Sequence, residues 1–289
     1  MPAARVEVGM SLSAIAANRF GLGLRADERP PADPQAWLLA QFDRFDPRPD
    51  AIAGLPDAAA MTAQYRENLQ QLRQLGLIGT RPAGGMQPAD AEKRAEQFQQ
   101  ERRQAYRQSY GGQVRARLAV ALSSPAPFAE RLVHFWANHF AISTDKLATI
   151  AMGGPLEFEA IRPHIAGRFA DLLLAVTRHP GMLFYLDQAQ SIGPNSRLGQ
   201  IARRRNAQRK PGLNENLARE ILELHTLGAS HYTQADVGGL ARALTGWTVG
   251  GFGRGFGQRL GLAEAPAGQF VFQPALHEPG SVTVAGRRY

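Results

Sequence analysis

A glutamate and a histidine four residues apart on one helical face can jointly ligate a metal ion or work as an oriented acid–base pair. Glu130, His134 and Asn138 have this spacing, at i, i+4 and i+8, and His139 lies beside them. A second polar stripe runs through Leu213 to Gly228 (LNENLAREILELHTLG), where Asn216, Glu220 and Glu223 recur at i, i+4 and i+7. Asn214 and Glu215 precede it, and Arg219 is spaced to pair with Glu215 or Glu223. Carboxylates that border an apolar helix face are costly unless they are paired or put to use. Two chemistries follow. The stripes can form a structural network of polar side chains between packed helices. Alternatively, they form one seam in which Glu130, His134, Glu220 and Glu223 are candidate metal ligands. His134 or His139 would then be base or ligand, and Arg219 would orient a carboxylate. Asn138, Asn214, Glu215 and Asn216 complete the candidate binding set. A divalent metal is compatible with this set, although the Glu-x-x-His pairs of di-iron bundles are absent.

Other chemistries are excluded or find no support. There are no cysteines, so disulfides, thiol nucleophiles and Cys-ligated clusters are excluded. No Ser/His/Asp arrangement with an elbow is visible. The glycine-rich run 250–257 neither follows a strand nor opens a helix, so it fails the context test for a nucleotide-binding turn. No haem motif is present. His179, ahead of Pro180, reads as a cap or turn residue, and His277 as an exposed turn histidine open to a substrate or metal.

These side chains are positioned by elements that the sequence marks out. Asp33-Pro34 is an N-cap followed by proline at N1, and Leu38, Phe42 and Phe45 give the helix one apolar face. Asp57 opens another helix, with Met61, Tyr65, Leu69 and Leu72 in phase until Gly76. Residues 89–110 read as a charged helical arm with a thin apolar face (Ala95, Phe98, Ala105, Tyr106), broken by Gly111-Gly112. The apolar stretch 114–122 reads as buried. In 128–140 the row Val133, Trp136, Phe140 faces a core. In 213–227 the core row is Leu213, Leu217, Ile221 and Leu224, with Gly228 ending the helix. Thr233 and Asp236 approach a capping box. Phe270 and Phe272, then Val282 and Val284, alternate around His277 to Gly280 as a β-hairpin.

The expectation is a mainly α, bundle-like fold. Residues 1–247 form the helical part, and 248–289 hold a glycine-rich loop and a C-terminal β-hairpin. A hairpin is marginal alone, so more chain is expected beyond it. The 44% hydrophobic and 20% charged composition over 289 residues is globular. No apolar run approaches the roughly 20 residues of a membrane helix, and the N-terminus lacks a secretory signal, so the chain as it stands reads as cytoplasmic. The net charge of +8 raises nucleic acid as a partner. Its densest source, Arg203, Arg204, Arg205, Arg209 and Lys210, lies between turn signals and reads as a solvated loop; this binding reading rests on charge alone.

Several segments occur in an order that resembles the bacterial "domain of unknown function 1800" family. They are IAANRFGLG (15–23), HFWANHF (134–140), RHPGMLFYLD (178–187), NENLAREILEL (214–224), YTQADV (232–237) and ALTGW (243–247). The resemblance implies a mostly helical fold and little about activity. It also implies relatives that are often exported and that continue past the hairpin into further helices. Such relatives are often encoded beside a sulfatase- or phosphatase-like protein. The leading function is therefore a binding or assembly factor for an exported or envelope-associated partner. The alternatives are a metal-dependent or acid–base hydrolase-type enzyme at the polar seam, and nucleic-acid binding through 203–210.

Overall fold

The structure, a computed structural model, describes residues 11–26, 28–76, 88–205, 212–251, 261–262 and 264–289, with 88–91 and 205 described by backbone course alone. Helices α1 (Leu12–Phe20), α2 (Pro34–Arg44), α3 (Asp50–Ala53) and α4 (Ala58–Gln74) lead into the long α5 (Pro88–Ser123). Next come α6 (Pro127–His139), α7 (Leu147–Ile150) and the short α8 (Gly153–Pro155), which runs into a π-helical segment, Leu156–Ile161. Helices α9 (Phe169–Arg178), α10 (Pro180–Tyr185) and α11 (Arg197–Arg205) follow. Helix α12 (Asn216–Glu220) also runs into a π-helical segment, Ile221–Thr226, and α13 (Gln234–Leu244) completes the helices. The fold is mainly α, with two small antiparallel strand pairs near the C-terminus.

Caps set several of these boundaries as the sequence predicts. Asp33 and Asp57 accept from the backbone N–H groups of Ala36 and Ala60. Thr233 and Asp236 form a complete capping box. His179 is a cap: its Nδ1 accepts from Gly181 N–H at the start of α10. The first helical turn of α6 is served from a distance, because Gln41, fully buried on α2, accepts the Phe128 N–H at 2.5 Å.

The largest core joins Val133 and Phe140 of α6, Leu156 and Ile161 of the first π segment, Leu172 and Val176 of α9, Met182 and Leu183 of α10, Leu217 and Leu222 near α12, and Val237 of α13. Four sequence expectations change here. Gly111-Gly112 does not break a helix, since α5 is continuous through both. Each glycine costs about 1 kcal/mol relative to Ala, which the packing of Gln113, Ala116 and Val120 against the body offsets. The charged arm is not free along its length, because Tyr106 and Ala95 are buried and Asn68 of α4 donates to the Tyr106 hydroxyl at 3.1 Å. Within 114–122 only Ala116 and Val120 are buried, while Val114, Leu118 and Leu122 are exposed on the opposite helical phase. Finally, Arg203, Arg204 and Arg205 end a helix rather than lying in a loop, and residues 206–210 of the basic run lie outside the described residues.

The strands pair differently from the expected order. Strand β1 (Trp247–Val249) pairs with β2 (Phe270–Phe272), with Trp247 opposite Phe272, so the glycine-rich run that begins at Gly250 does follow a strand, contrary to expectation. The C-terminal hairpin is tighter, β3 (Thr283–Val284) with β4 (Arg287–Arg288), turning through Ala285 and Gly286 at positive φ. Alternation alone marks strands but does not choose their partners. The intervening segment is held down by Glu278, buried, which accepts from Asn195 N–H and Nδ2 at 2.7 and 2.6 Å. His277 is half-buried against Phe272, with its Nδ1 at 2.8 Å from the Thr245 carbonyl, so it is not the open turn histidine expected.

Candidate functional site

The two polar stripes read from the sequence do not merge into one seam; each finds other partners. Glu130 is buried and bound in a two-pronged ion pair to Arg162, which follows the first π segment, at 2.6 and 2.8 Å. Arg162 also donates to the carbonyls of Asp46 and Pro47 at 2.9 and 3.0 Å and lies over the Phe45 ring. All five guanidinium donors cannot be met by one carboxylate, so these carbonyls make the burial tolerable. His134 is half-buried, with its pKa lowered by burial and then by Arg117, partly opposed by Glu130. Asn138 is exposed at the mouth of a cavity described below.

The second stripe makes a surface network of its own. Glu215 meets Arg219 at 3.3 Å and accepts from Gln234 at 2.8 Å, and Arg219 also donates to Gln234. Asn214 donates to the Leu186 carbonyl at 2.9 Å and caps the backbone N–H of Asn216. Glu223 accepts from the Tyr232 hydroxyl. Glu220 has its pKa raised by partial burial and then by Glu223. Among the described residues, no three His, Asp or Glu side chains converge as a metal-binding group. No three of Glu130, His134, Glu220 and Glu223 are therefore gathered into one such group.

The stripes do touch at one end, through His139. Its ring lies 5.8 Å from that of His225, in the second π segment, and its Nε2 is 3.4 Å from the His225 carbonyl. The π geometry explains why His225 was missed. The Leu227 N–H donates to the Leu222 carbonyl, five residues back, which advances the helical phase. Leu222 and His225 thus turn inward, whereas Leu224, expected in the core, is 60% exposed. Burial, and secondarily His139, depress the His225 pKa to about 4. Around this pair the rings of Phe135, Trp136, Phe140 and Phe169 pack at 4.6–6.5 Å from one another or from the histidines. Phe135 and Phe169 of this cluster leave large apolar surfaces in solvent, and so do Leu224 and Leu227 on the stretch that carries His225.

The first π segment carries a group that the sequence reading passed over. Five of its six residues are buried, among them Glu157. Its Oε2 lies 2.8 Å from Arg117 Nε on α5, close enough for an ion pair although the N–H is not aligned as a hydrogen bond. Its Oε1 is buried and has no hydrogen-bond partner among the described residues. Burial raises the pKa of this carboxyl to about 7, against the pull of Arg117 and Arg162 and with a push from Glu130. Glu157 lines a cavity of about 320 Å³, with Gln113, Arg117, Asn138 and Gly154 among its other walls. Two residues on, Glu159 accepts the Ala58 N–H at the start of α4 at 2.8 Å and lies 3.6 Å from His179 Nε2. The signal was present as 157, 159 and 162, three ionic residues in an apolar run. Their i, i+2, i+5 spacing places them on no single α-helical face.

The fold and these sites define a mainly helical protein whose core encloses the Glu130–Arg162 ion pair beside the first of two π-helical segments. Among its described residues no helix is long and apolar enough to cross a membrane. A family model described as "Protein of unknown function (DUF1800)" matches residues 15–289, so the chain belongs to that family. No curated protein and no solved structure matches it.

Proposed function

We propose that this protein is a binding or assembly factor that docks a partner protein through the face built by α6, α9 and the second π segment. The observation that carries the reading is the exposure of Phe135 (58%) and Phe169 (40%) in one ring cluster, with Leu224 (60%) and Leu227 (42%) exposed on the stretch that brings His225 to it. Exposed rings and leucines on neighbouring elements cost solubility, and aromatic side chains are what the centres of protein interfaces contain. His225 supports the reading because its depressed pKa keeps it uncharged at neutral pH, so this histidine adds no charge beside the apolar face. The partner implied by the family resemblance is an exported sulfatase- or phosphatase-like protein encoded nearby. The test is co-expression with that protein and measurement of the complex by co-elution. Phe135→Asp and Leu224→Asp should each abolish the complex while leaving the melting temperature unchanged. A complex that survives both substitutions would overturn the proposal.

A second reading, an acid–base enzyme, is favoured by one observation: a buried carboxyl, Glu157, titrating near neutrality at a cavity wall. A general acid or base works best with a pKa near the working pH. In this reading Glu157 takes the role first considered for His134, His139, Glu220 and Glu223. Any turnover found should show an inflection near pH 7 that Glu157→Gln removes; an unchanged profile would rule it out.

A further inference from the structure

The cavity between α5, the end of α6 and the 153–161 segment has features of a built site. Its volume of about 320 Å³ is at the small end of ligand pockets. Val114, Phe140, Ile142 and Leu156 supply apolar wall. One wall is fixed by Gln113, which donates to the Ala151 carbonyl at 2.9 Å and accepts the Gly154 N–H at 3.1 Å. Gly154 is required there, because a Cβ would stand 2.7 Å from the Gln113 side chain.

The polar end of the cavity is unbalanced. Glu157 is 95% buried, and its Oε1 has no donor among the described residues. An orphaned buried carboxyl oxygen costs free energy that a ligand donor would recover. Arg117 stands on the same wall with its side chain 41% exposed, so its positive charge reaches the ligand space. A simple amine placed at Glu157 would be repelled by Arg117, and a simple carboxylate placed at Arg117 would be repelled by Glu157. A ligand carrying both charges, with an apolar body, meets both groups and leaves the wall neutral.

We propose that this cavity binds a small zwitterion of the apolar α-amino acid class, its ammonium facing the Glu157 carboxylate and its carboxylate facing the Arg117 guanidinium. The near-neutral titration of Glu157 supports this, since an arriving ammonium would favour the ionised form. The charged groups facing Glu157 are Arg117 from α5, Glu130 from α6 and Arg162 beyond the π segment. The inference requires neither the docking face nor any turnover.

The experiment is a titration of the full chain with leucine, followed by NMR. Parallel titrations use 3-methylbutylamine, which lacks the carboxylate, and 4-methylpentanoate, which lacks the ammonium. Leucine should bind saturably and perturb Gln113, Asn138 and Gly154. Each half-ligand should bind about tenfold more weakly or worse, the effect of one charge-assisted hydrogen bond. Glu157→Gln should weaken leucine by a similar factor. In the unmodified protein, the Glu157 carboxyl resonance should titrate at lower pH when leucine is bound, a readout that needs no variant to fold. Absence of saturable leucine binding, equal binding of the amine alone, or an unmoved Glu157 titration would each overturn the proposal.

Discussion

At the scale of single residues, the decisive groups are ionic side chains that the fold holds largely out of water. Glu157 has a folded pKa near 7, above its ordinary value of 4.5, so the fold favours its neutral form. Its ionisation therefore destabilises the fold as pH rises through the unfolded value, and the penalty is complete above about pH 7. Glu157→Gln removes this dependence. Between pH 5 and 8 the variant should gain roughly 2–3 kcal/mol relative to the unsubstituted protein, most but not all of the equivalent of the shift, because ionisation begins to cost stability below pH 5. Urea unfolding at the two pH values measures it, and equal stability changes at both would contradict the assigned burial. Glu130 behaves in the opposite way. Glu130→Ala strands Arg162 inside the core and should cost about 3–5 kcal/mol, read from the urea midpoint. Adding Arg162→Met should recover only part of this, because the Asp46 and Pro47 carbonyls would lose their donor. A full recovery would show that those carbonyls do not matter. The stripe Glu130, His134 and Asn138 was legible from its spacing. Its true partners were not, because Arg117, Glu157 and Arg162 come from other segments and nothing local marks which charges will meet.

At the scale of elements, ordinary helices were legible and π-helical ones were not. Caps and period made α2, α4 and α13 readable from Asp33, Asp57 and Thr233. A straight α period through 213–227 put Leu224 in the core, whereas one wider turn at Ile221–Thr226 buries Leu222 and His225 in its place. The same kind of segment at Leu156–Ile161 turns Glu157 inward. A 3.6-residue search misses both, because each widened turn resets the phase. The long α5 failed for another reason: two glycines look like a break locally, but tertiary packing outweighs their intrinsic cost. These readings make a paired prediction for the second π segment. Leu222→Ala should cost about 2–5 kcal/mol, as for a core leucine, while Leu224→Asp should change stability by no more than about 0.5 kcal/mol. Thermal or urea unfolding of the two variants checks the order. A costly Leu224→Asp with a tolerated Leu222→Ala would restore the straight helix.

At the scale of the whole molecule, the helical class was legible from composition and period, as was the presence of a terminal hairpin. The surface was not. Phe135, Phe169 and His225 lie far apart in sequence, and only packing of α6, α9 and the second π segment gathers their rings around Trp136 and His139. The docking proposal depends on this gathered face, and other exposed apolar residues, such as Leu118 and Leu122 on α5, offer a natural comparison. The most direct test is hydrogen exchange on the unmodified chain, free and mixed with the co-encoded sulfatase- or phosphatase-like protein. The account predicts new protection at 135–140, at 169–174 and at 221–227, with α5 unaffected. Protection confined to α5 or to 197–205, or no change anywhere, would contradict it.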